Sequence, residues 1–437
     1  MMYNSSVWVM PLGEKAAAME AELKARHWYR GLVLPLVILP PKGSPDCLGS
    51  PGPSSPMSRT PPDGVSQRKS PGLGASADSE TPRGNFEDCS IWTGTYLAGQ
   101  VWRWKATGDP DASASAQQAV DALLFLEAVT GHPGYLARGF KEADGPSWDE
   151  ELFWNRSWYQ SGEYRWMGQV TKDQAGGRLF GLCAHFDLMD DEPRKRLIRE
   201  SVSRVFGQIV RDGMRIVDIG DGSFRRLYAE HRGEIEFAVQ ALFCMKAAWH
   251  ITGEEIFRDK YAELIAQQYH LIAIEGSPRK HNRTRAYAGI HHSDTHLVFM
   301  GLYCLLQYET DEAIRSYYLR AVERNFGTIQ TEGNAFHNFV YHSAFDDCGD
   351  DESAIQTLRE MPVDRRIRPV RNSGRGDLDP STPLPVYERP AAEYEWAANA
   401  YRLDGWPDAD GTWEHSTADF LTAYWMGRHH GYIAEGD

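Results

Sequence analysis

The chain lacks most of the features that would place it outside the ordinary globular proteins. It has six cysteines in 437 residues and no Cys-x-x-Cys pair, which excludes a disulfide-rich scaffold and the usual zinc-ribbon spacing. Positively charged residues are also few: the chain has 46 lysines and arginines and 61 aspartates and glutamates, which gives a net charge of -15. A general nucleic-acid-binding surface is therefore not expected.

Long hydrophobic runs are missing as well. The most apolar stretch, Gly31 to Pro40, has the sequence GLVLPLVILP, which is too short and too interrupted by proline to span a bilayer. We expect a buried extended segment there and no membrane association. The N-terminus has no basic segment followed by an apolar one, so no secretory signal is expected.

The cysteines themselves indicate a compartment. Cys183, Cys244 and Cys304 each lie inside an apolar helical pattern, where a reduced thiol behaves as a small hydrophobic side chain. A reducing, cytoplasmic location is the expectation. No cofactor is expected.

One segment departs from globular composition. Residues 41–85 are dense in proline, glycine and serine, a composition that cannot bury enough apolar surface to order itself. We interpret it as a flexible loop within a single domain that spans residues 1–437.

Elsewhere two kinds of helix alternate six times. One kind is apolar on nearly all sides and includes small residues, over approximately 86–107, 172–190, 233–252, 292–309, 334–345 and 416–433. The other is amphipathic, over approximately 14–28, 111–131, 191–212, 254–273, 311–328 and 351–361. A helix that is apolar all round is buried, and one with a single apolar stripe faces solvent. The pattern predicts an all-α (α/α)6 barrel, or six-hairpin toroid, with strands only in short loop pairs; an open helical solenoid is the alternative.

The connections predict which end of this barrel carries function. They are tight from an apolar helix to the next amphipathic one, but they are long in the other direction, over 29–85, 132–171, 213–232, 274–291 and 362–415. Loops of this length are uncommon unless they carry function or lack order. We call the end where the apolar helices begin the mouth, and we expect the active site there.

Acidic residues fall at this end. The first turns of four apolar helices contain Asp88, Asp173, Asp294 and Asp419. A carboxylate in a first turn also complements the helix dipole, so a purely structural role is the alternative. Gly176 and Gly177 follow Asp173, where they would permit close backbone approach or leave room for a ligand.

These features resemble a known family of enzymes. Six hairpins, with an aspartate at the start of the second inner helix followed by glycine and an apolar run, are similar to the unsaturated glucuronyl and rhamnogalacturonyl hydrolases. Those enzymes carry a catalytic aspartate near His-Asp-x-Gly-Phe, and the matching stretch here is Lys172-Asp173-Gln174-Ala175-Gly176. The resemblance implies a glycoside hydrolase with Asp173 and Asp88 as catalytic carboxylates. The C-terminal segment 396–433 also resembles bacterial proteins of this toroid type, which implies no activity.

Other residues at the predicted mouth suit sugar binding. Trp92, Trp158 and Trp166 offer flat faces for stacking, and Arg178 and Arg402 offer polar contacts. The segment 365–375 is rich in arginine, and the segment 279–285 is rich in basic residues. Arginine suits carboxylates, so a uronate-containing oligosaccharide is the expected substrate.

Three other functions stay open. A polysaccharide lyase or an epimerase acting on a uronate would use His337 and Tyr341 as catalytic groups, with Asn334, His292, Asp294 and His296 as substrate ligands. The stretch HHSDTH places histidines one helical turn apart, a spacing also used by metal sites, although we expect no metal. The third open function is a toroid that binds a glycan without catalysing a reaction on it, because fold does not fix function.

Overall fold

The computed structural model describes residues 10–39, 84–144, 157–219, 224–226, 233–277, 292–345, 351–379, 381–390, 400–401, 403–405 and 409–437. The proposed flexible loop at 41–85 lies outside these residues, apart from its last two. In the described part, the helices are α1 Leu12–Glu22, α2 Cys89–Thr107, α3 Pro110–Ala128, α4 Lys172–Leu188, α5 Glu192–Arg211, α6 Ile235–Thr252, α7 Glu255–Ala266, α8 Tyr269–Glu275, α9 His292–Tyr308, α10 Glu312–Gly327, α11 Ala335–Ala344, α12 Asp351–Glu360 and α13 Ala418–His430. The prediction of an all-α protein is confirmed.

The apolar and the amphipathic helices form two layers, one buried and one facing solvent. Fourteen of the eighteen residues of α6 are buried, whereas α7 buries three of its twelve. The helices of the first kind, which we call inner, are α2, α4, α6, α9, α11 and α13. Each contacts the next in this order, and α13 packs on α2.

The outer helices pack on this inner set. Helices α3, α5, α7, α10 and α12 each contact an inner helix, and α1 packs on α13. The buried ammonium of Lys15 in α1 donates to the carbonyls of Leu358, at 3.2 Å, and Met361, at 2.8 Å, at the end of α12. The first helix of the chain therefore supplies partners for carbonyls that α12 leaves open at its C-terminus.

Aromatic side chains fill the centre of the inner helices. Trp102 of α2, Phe180 of α4 and Tyr303 of α9 are in mutual ring contact at centroid distances of 6.0 to 6.3 Å. Phe336 of α11 adds a further contact to Phe180 at 6.2 Å. These four rings come from four different inner helices and link them through a connected set of aromatic contacts.

The strands are short, as expected, and lie in the connections. They are β1 Trp28–Tyr29, β2 Leu32–Val33, β3 Leu36–Ile38, β4 Phe140–Glu142, β5 Trp158–Ser161, β6 Tyr164–Met167, β7 Arg215–Val217, β8 Phe224–Arg226, β9 Val370–Arg371, β10 Asp404–Gly405 and β11 Trp413–His415. The largest described sheet has the order β4-β6-β5. Strand β11 pairs with β3 in an antiparallel register that places Trp413 opposite Ile38.

The apolar stretch before residue 40 is buried and extended, as expected, since β2 and β3 cover half of it and Leu32, Val33 and Leu34 are fully buried. None of the helices in the described ranges has both the length and the apolar character needed to cross a bilayer.

Two predicted helices differ from those observed. The helix expected over 254–273 is interrupted between α7 and α8, because Gln268 adopts a left-handed conformation with φ 65°. The helix expected over 14–28 begins at Leu12, and its last turn, Leu23–His27, widens into a π-helix before β1. A three-to-four-residue period cannot reveal either local change of winding.

Candidate active site

The beginnings of the inner helices meet at the mouth. Lys172 at the start of α4 contacts Asp294 at the start of α9, with Nζ and Oδ1 2.9 Å apart. Gln174 of α4 donates to Oδ1 of Asp88, just before α2, at 2.7 Å. Side chains from distant parts of the sequence therefore share one site.

Helix α4 begins with a full capping box. The backbone N–H of Thr171 donates to Oε1 of Gln174 at 2.9 Å, and the Thr171 side chain completes the reciprocal bond. This cap fixes the first turn. It leaves Lys172 at the first helical position with its side chain directed into the protein, 3% exposed.

The glycines that weaken α4 allow it to touch its neighbours. A Cβ on Gly177 would lie 2.2 Å from Cγ1 of Ile91, and one on Gly94 of α2 would lie 1.9 Å from the Gly177 carbonyl oxygen. A Cβ on Gly176 would lie 2.0 Å from Oε1 of Gln240 in α6. Close backbone approach, one of the two uses expected for these glycines, is therefore what the structure shows.

One buried ammonium joins two carboxylates at the mouth. The Lys172 Nζ lies 2.8 Å from Oδ1 of Asp173 and 2.9 Å from Oδ1 of Asp294. Burial alone would lower the pKa of Lys172, but the two carboxylates outweigh it and hold this pKa above the ordinary value. Asp294 is buried, whereas the Asp173 side chain is 38% exposed. Asp173 is thus the member of this group that solvent reaches most readily.

Glu236, in the first turn of α6, belongs to the same cluster and was missed by the sequence argument. Burial raises its pKa to about 7, and the negative charge of Asp294 adds to the effect of burial, while Lys172 opposes it. Its Oε1 atom has no hydrogen-bond partner among the described residues. A signal was available, because Glu236 occupies the same first-turn position of an apolar helix as the four aspartates that were considered.

Asp88 completes the acidic side of the mouth. It precedes α2 without capping that helix through its side chain. It accepts hydrogen bonds from Gln174 and from Nη1 of Arg138, the latter at 3.2 Å, while its side chain remains 42% exposed. Asp88 therefore presents an oriented carboxylate to solvent.

Histidines lie in the first turns of α9 and α11, close to the acidic cluster in sequence. His292 Nε2 lies 2.8 Å from a carboxylate oxygen of Glu332, and both side chains are buried. His296 stacks on Phe336 at 4.6 Å, and burial lowers its pKa to about 3. His337 stacks on Phe299 at 4.5 Å, and burial, together with the nearby His296 and His292, holds its pKa well below the usual range. The lowered pKa values of His296 and His337 mean that these two imidazoles are neutral at ordinary pH.

Two residues predicted for lyase chemistry are engaged elsewhere. Tyr341 stacks on Phe326 of the outer helix α10 at 4.3 Å and also contacts Phe345. Asn334 caps α11, accepting the His337 backbone N–H at 3.1 Å. Neither contact brings its side chain to the acidic cluster.

The predicted stacking tryptophans are mostly packed against protein. Trp92 and Trp166 are buried, and Trp166 lies 4.6 Å from the ring of Tyr159 across β5 and β6. Trp158 is only partly buried; it meets Phe86, and the Lys141 ammonium lies over its ring. Of the three, Trp158 keeps the most surface for a ligand.

The predicted arginine ligands need a correction. Arg178 is fully buried on the outer side of α4, where it donates to the Leu123 carbonyl at 3.0 Å and to Ser201 at 2.7 Å. It therefore cannot bind a substrate at the mouth. Arg402 lies outside the described residues, as do the basic residues of 279–285.

The arginines of 365–375 are also largely occupied. Arg365 is buried and pairs with Asp419 at 2.7 Å, so this aspartate is a buried partner of an arginine and does not present its carboxylate to solvent. Arg368 pairs with Asp364, and Arg375 pairs with Asp377 and Glu388. Their crowding reflects local ion pairs more than a site for an acidic sugar.

The stretch HHSDTH does not assemble a metal site within the described part of the chain, where no three or more His, Cys, Asp or Glu side chains are arranged to hold an ion. His292 instead pairs with Glu332, and His296 stacks on Phe336.

Comparisons with known proteins give limited information. No protein-family model and no curated protein matches the sequence. The solved structures similar to this chain include a glycosyl hydrolase of family 88 from Bacteroides vulgatus, with 10% identity and a TM-score of 0.42 over 78% of this chain and 91% of that chain. They also include a GH9 protein from Bacteroides ovatus, with 11% identity and a TM-score of 0.44 over 97% of this chain and 83% of that chain. Similarity at this level carries no conclusion about activity, which has to be argued from the side chains.

Proposed function

We propose that the protein is a glycoside hydrolase of (α/α)6-barrel architecture that cleaves an oligosaccharide bound at the mouth. The contact of α13 with α2 supports a closed barrel over an open solenoid, because it brings the last inner helix back to the first. The acidic cluster at the mouth supports carboxylate acid/base catalysis.

The observation that carries this proposal is the environment of Glu236. A general acid needs a carboxyl group that still holds its proton near neutral pH. An ordinary glutamate is ionised there, but the buried Glu236 has its pKa raised to about 7. Glu236 would give its proton to the glycosidic oxygen as the bond breaks.

A second, ionised carboxylate is needed as nucleophile or as the base that activates water. Asp173 and Asp88 are the exposed carboxylates of the mouth, with 38% and 42% of their side chains accessible. Each is oriented by a cation, Lys172 and Arg138 respectively. Environment thus separates the roles: burial raises the pKa of Glu236, whereas Asp173 and Asp88 are exposed and are each held by a cation.

The sugar substrate is proposed from the sequence resemblance and from the partly exposed face of Trp158, since an aromatic face suits a sugar ring. The described arginines of the 365–375 loop are paired with carboxylates of the protein and do not favour an acidic sugar over a neutral one. Both classes are therefore candidates for testing.

One observation favours a second function, elimination or epimerisation on a uronate. The His292 imidazole, held by Glu332, is an oriented base, and a base that removes a carbon-bound proton needs such orientation. That chemistry also needs a cation or amide to neutralise the substrate carboxylate, and the nearby Arg389 is already donating to the carbonyls of Leu384 and Glu332. Hydrolysis is therefore the better-supported function.

The test is an activity screen of the purified protein on neutral and uronate-containing oligosaccharides, both saturated and unsaturated. New reducing ends without an increase in ultraviolet absorbance would indicate hydrolysis, and a rise in absorbance would indicate elimination. We expect hydrolysis, with kcat reduced by a factor of at least about 100 in Glu236→Gln, because general acid catalysis contributes about 100- to 10,000-fold.

The matched control is Glu254→Gln, an exposed glutamate at the far end of the barrel, just before α7. It should retain full activity. Glycan binding without any product in the parental protein, unchanged in Glu236→Gln, would instead indicate a binding toroid.

A further inference from the structure

Gln174 uses both ends of its side-chain amide at the mouth. Its Oε1 atom accepts the backbone N–H of Thr171 at 2.9 Å, which is one of the two reciprocal bonds of the capping box of α4. Its Nε2 atom donates to Oδ1 of Asp88, just before α2, at 2.7 Å. One side chain therefore caps α4 and also contacts a carboxylate that lies 86 residues earlier in the chain.

The capping box fixes the direction in which this amide points. A backbone N–H can only donate, so the Gln174 atom that faces the N–H of Thr171 must be the oxygen. The NH2 group must then face Asp88, and the usual ambiguity between the two ends of an amide does not arise. Gln174 is 1% exposed, so the surrounding packing also restricts its rotation.

The two helices are held together at this point by further contacts. The Ser90 hydroxyl, in the first turn of α2, donates to the Gln174 carbonyl oxygen at 3.0 Å. Gly177, one turn later in α4, lies directly against Ile91 of α2. Because these contacts fix the two backbones, a change in the Gln174 amide acts on the Asp88 side chain and cannot be absorbed by a shift of the helices.

A second buried donor meets the same carboxylate oxygen. Nη1 of Arg138 lies 3.2 Å from Oδ1 of Asp88, and the Arg138 side chain is 3% exposed. Its Nε donates to the Gln169 carbonyl at 2.8 Å, and Gln169 has a left-handed backbone with φ 59°. A non-glycine residue keeps this costly conformation where its surroundings hold it in place. Two donors from two connections, each anchored to the backbone, thus converge on Asp88.

We infer that Gln174 is a positioning residue for Asp88, whose capping amide fixes the orientation of this carboxylate at the mouth and favours its ionised form. A hydrogen-bond donor favours a charged carboxylate over a protonated one. This inference rests on the proposed function, in which Asp88 and Asp173 are both candidates for the ionised carboxylate, and it selects Asp88. Asp173 takes its cation from the adjacent Lys172, whereas Asp88 is held by side chains from two other elements.

Reversing the polarity of the hydrogen bond tests the contact without any substrate. Gln174→Glu keeps an acceptor for the Thr171 N–H, because glutamate also serves in a capping box, but it turns a second carboxylate toward Asp88. At pH 8, where ordinary carboxyl groups are ionised, this variant should unfold at a lower urea concentration than the parental protein. Addition of Asp88→Asn supplies an amide that can donate to the new carboxylate, so the double variant should recover most of the loss.

The same substitution tests the role in catalysis. Gln174→Glu should lower kcat by up to about 100-fold, the effect of a misplaced reacting group, with little change in KM. Asp88→Asn should lower kcat at least as much, and more than Asp173→Asn does.

The matched control is Gln118→Glu. Gln118 is an exposed residue of the outer helix α3, and its Oε1 accepts from Nε1 of Trp28 at 3.3 Å, a bond that a carboxylate can also accept. This variant makes the same change of charge and should keep the parental kcat and urea midpoint.

The outcomes separate this inference from the proposed function. Parental stability in Gln174→Glu, or no recovery on adding Asp88→Asn, would overturn the contact and leave Glu236 as the acid. An unchanged kcat in Gln174→Glu, or a larger loss in Asp173→Asn than in Asp88→Asn, would overturn the catalytic role of the contact. A parental protein that hydrolyses no oligosaccharide would remove the proposed function, and the catalytic role with it.

A second variant covers the case in which Gln174→Glu does not fold. Gln174→Met has a similar length and lacks the donor, so its crystal structure should show the Asp88 carboxylate rotated from its parental orientation. A carboxylate in the same orientation as in a crystal structure of the parental protein would contradict the inference.

Discussion

Burial affects the pKa values of individual residues at the mouth differently. Lys172 is buried against two carboxylates and stays charged, whereas the buried Glu236 forms no ion pair within the described ranges and has a raised pKa. Asp173 shares the ammonium of Lys172 but is 38% exposed. The first turn of one inner helix therefore holds a carboxyl group with a raised pKa and that of another holds an exposed carboxylate, because the surroundings differ.

The raised pKa of Glu236 has a consequence for stability. Its folded-state pKa of about 7 lies above the ordinary value of 4.5, so the folded state binds more protons than the unfolded state between these values. The favourable contribution of the protonated group is fully present below pH 4.5 and is lost as the pH rises to about 7. Glu236→Gln, which does not titrate, should escape this loss.

We therefore expect Glu236→Gln to gain stability relative to the parental protein as the pH rises from 4.5 to 7, by an upper limit of roughly 3 kcal/mol. Urea unfolding of both proteins across this range measures the difference. A difference that stays constant with pH would mean that Glu236 titrates as it does in the unfolded chain. Glu254→Gln serves as the exposed control.

Sequence reasoning predicted part of the mouth at this scale. Asp88 and Asp173 could be proposed because each falls at the predicted start of an apolar helix, and both are exposed carboxylates in the structure. The fate of Asp419 could not be foreseen, because its partner Arg365 lies 54 residues away and only the tertiary structure brings them together. The burial of Arg178 depends in the same way on Leu123 and Ser201.

At the scale of elements, helix boundaries follow closely from local sequence. The inner helices begin and end within about three residues of their predicted limits, because caps and an apolar period act over one or two turns. The break at Gln268 was not predicted, since a single left-handed residue leaves no periodic signal. The glycines of α4 show why an apparently weakened helix is stable: its neighbour α2 occupies the space that side chains would need.

Gly177→Ala should therefore destabilise the protein although alanine favours a helix. The added Cβ would lie 2.2 Å from Cγ1 and 2.8 Å from Cα of Ile91, so the backbones of α2 and α4 must separate, at a cost of about 1 to 3 kcal/mol or more. Guanidinium unfolding measures this change in the free energy of unfolding.

Gly207→Ala is the matched control. Gly207 lies within α5, and the atom nearest to an added Cβ is the end of the flexible Arg211 side chain, 3.2 Å away. It should be neutral or stabilising by up to about 1 kcal/mol. If both variants had the same stability, close packing would not explain the glycines of α4.

For the whole molecule, the inner helices divide the interior into two ends. Trp102, Phe180, Tyr303 and Phe336 join four of these helices through ring contacts. The alternation of helix types predicted this layered arrangement from sequence, since burial on all sides requires an outer layer. It could not predict which side chains meet between these helices, because that depends on how far each helix extends and how it is rotated.

The central claim is that Glu236 is the proton donor of a hydrolase at the mouth. The most direct measurement is kcat/KM for hydrolysis of the best oligosaccharide substrate between pH 5 and 9, which reports the pKa of an essential acid in the free enzyme. The proposed acid predicts a rate that falls as the pH rises through about 7, with this limb absent from the residual activity of Glu236→Gln. A rate that is flat to pH 9, or an undiminished Glu236→Gln variant, would contradict the claim.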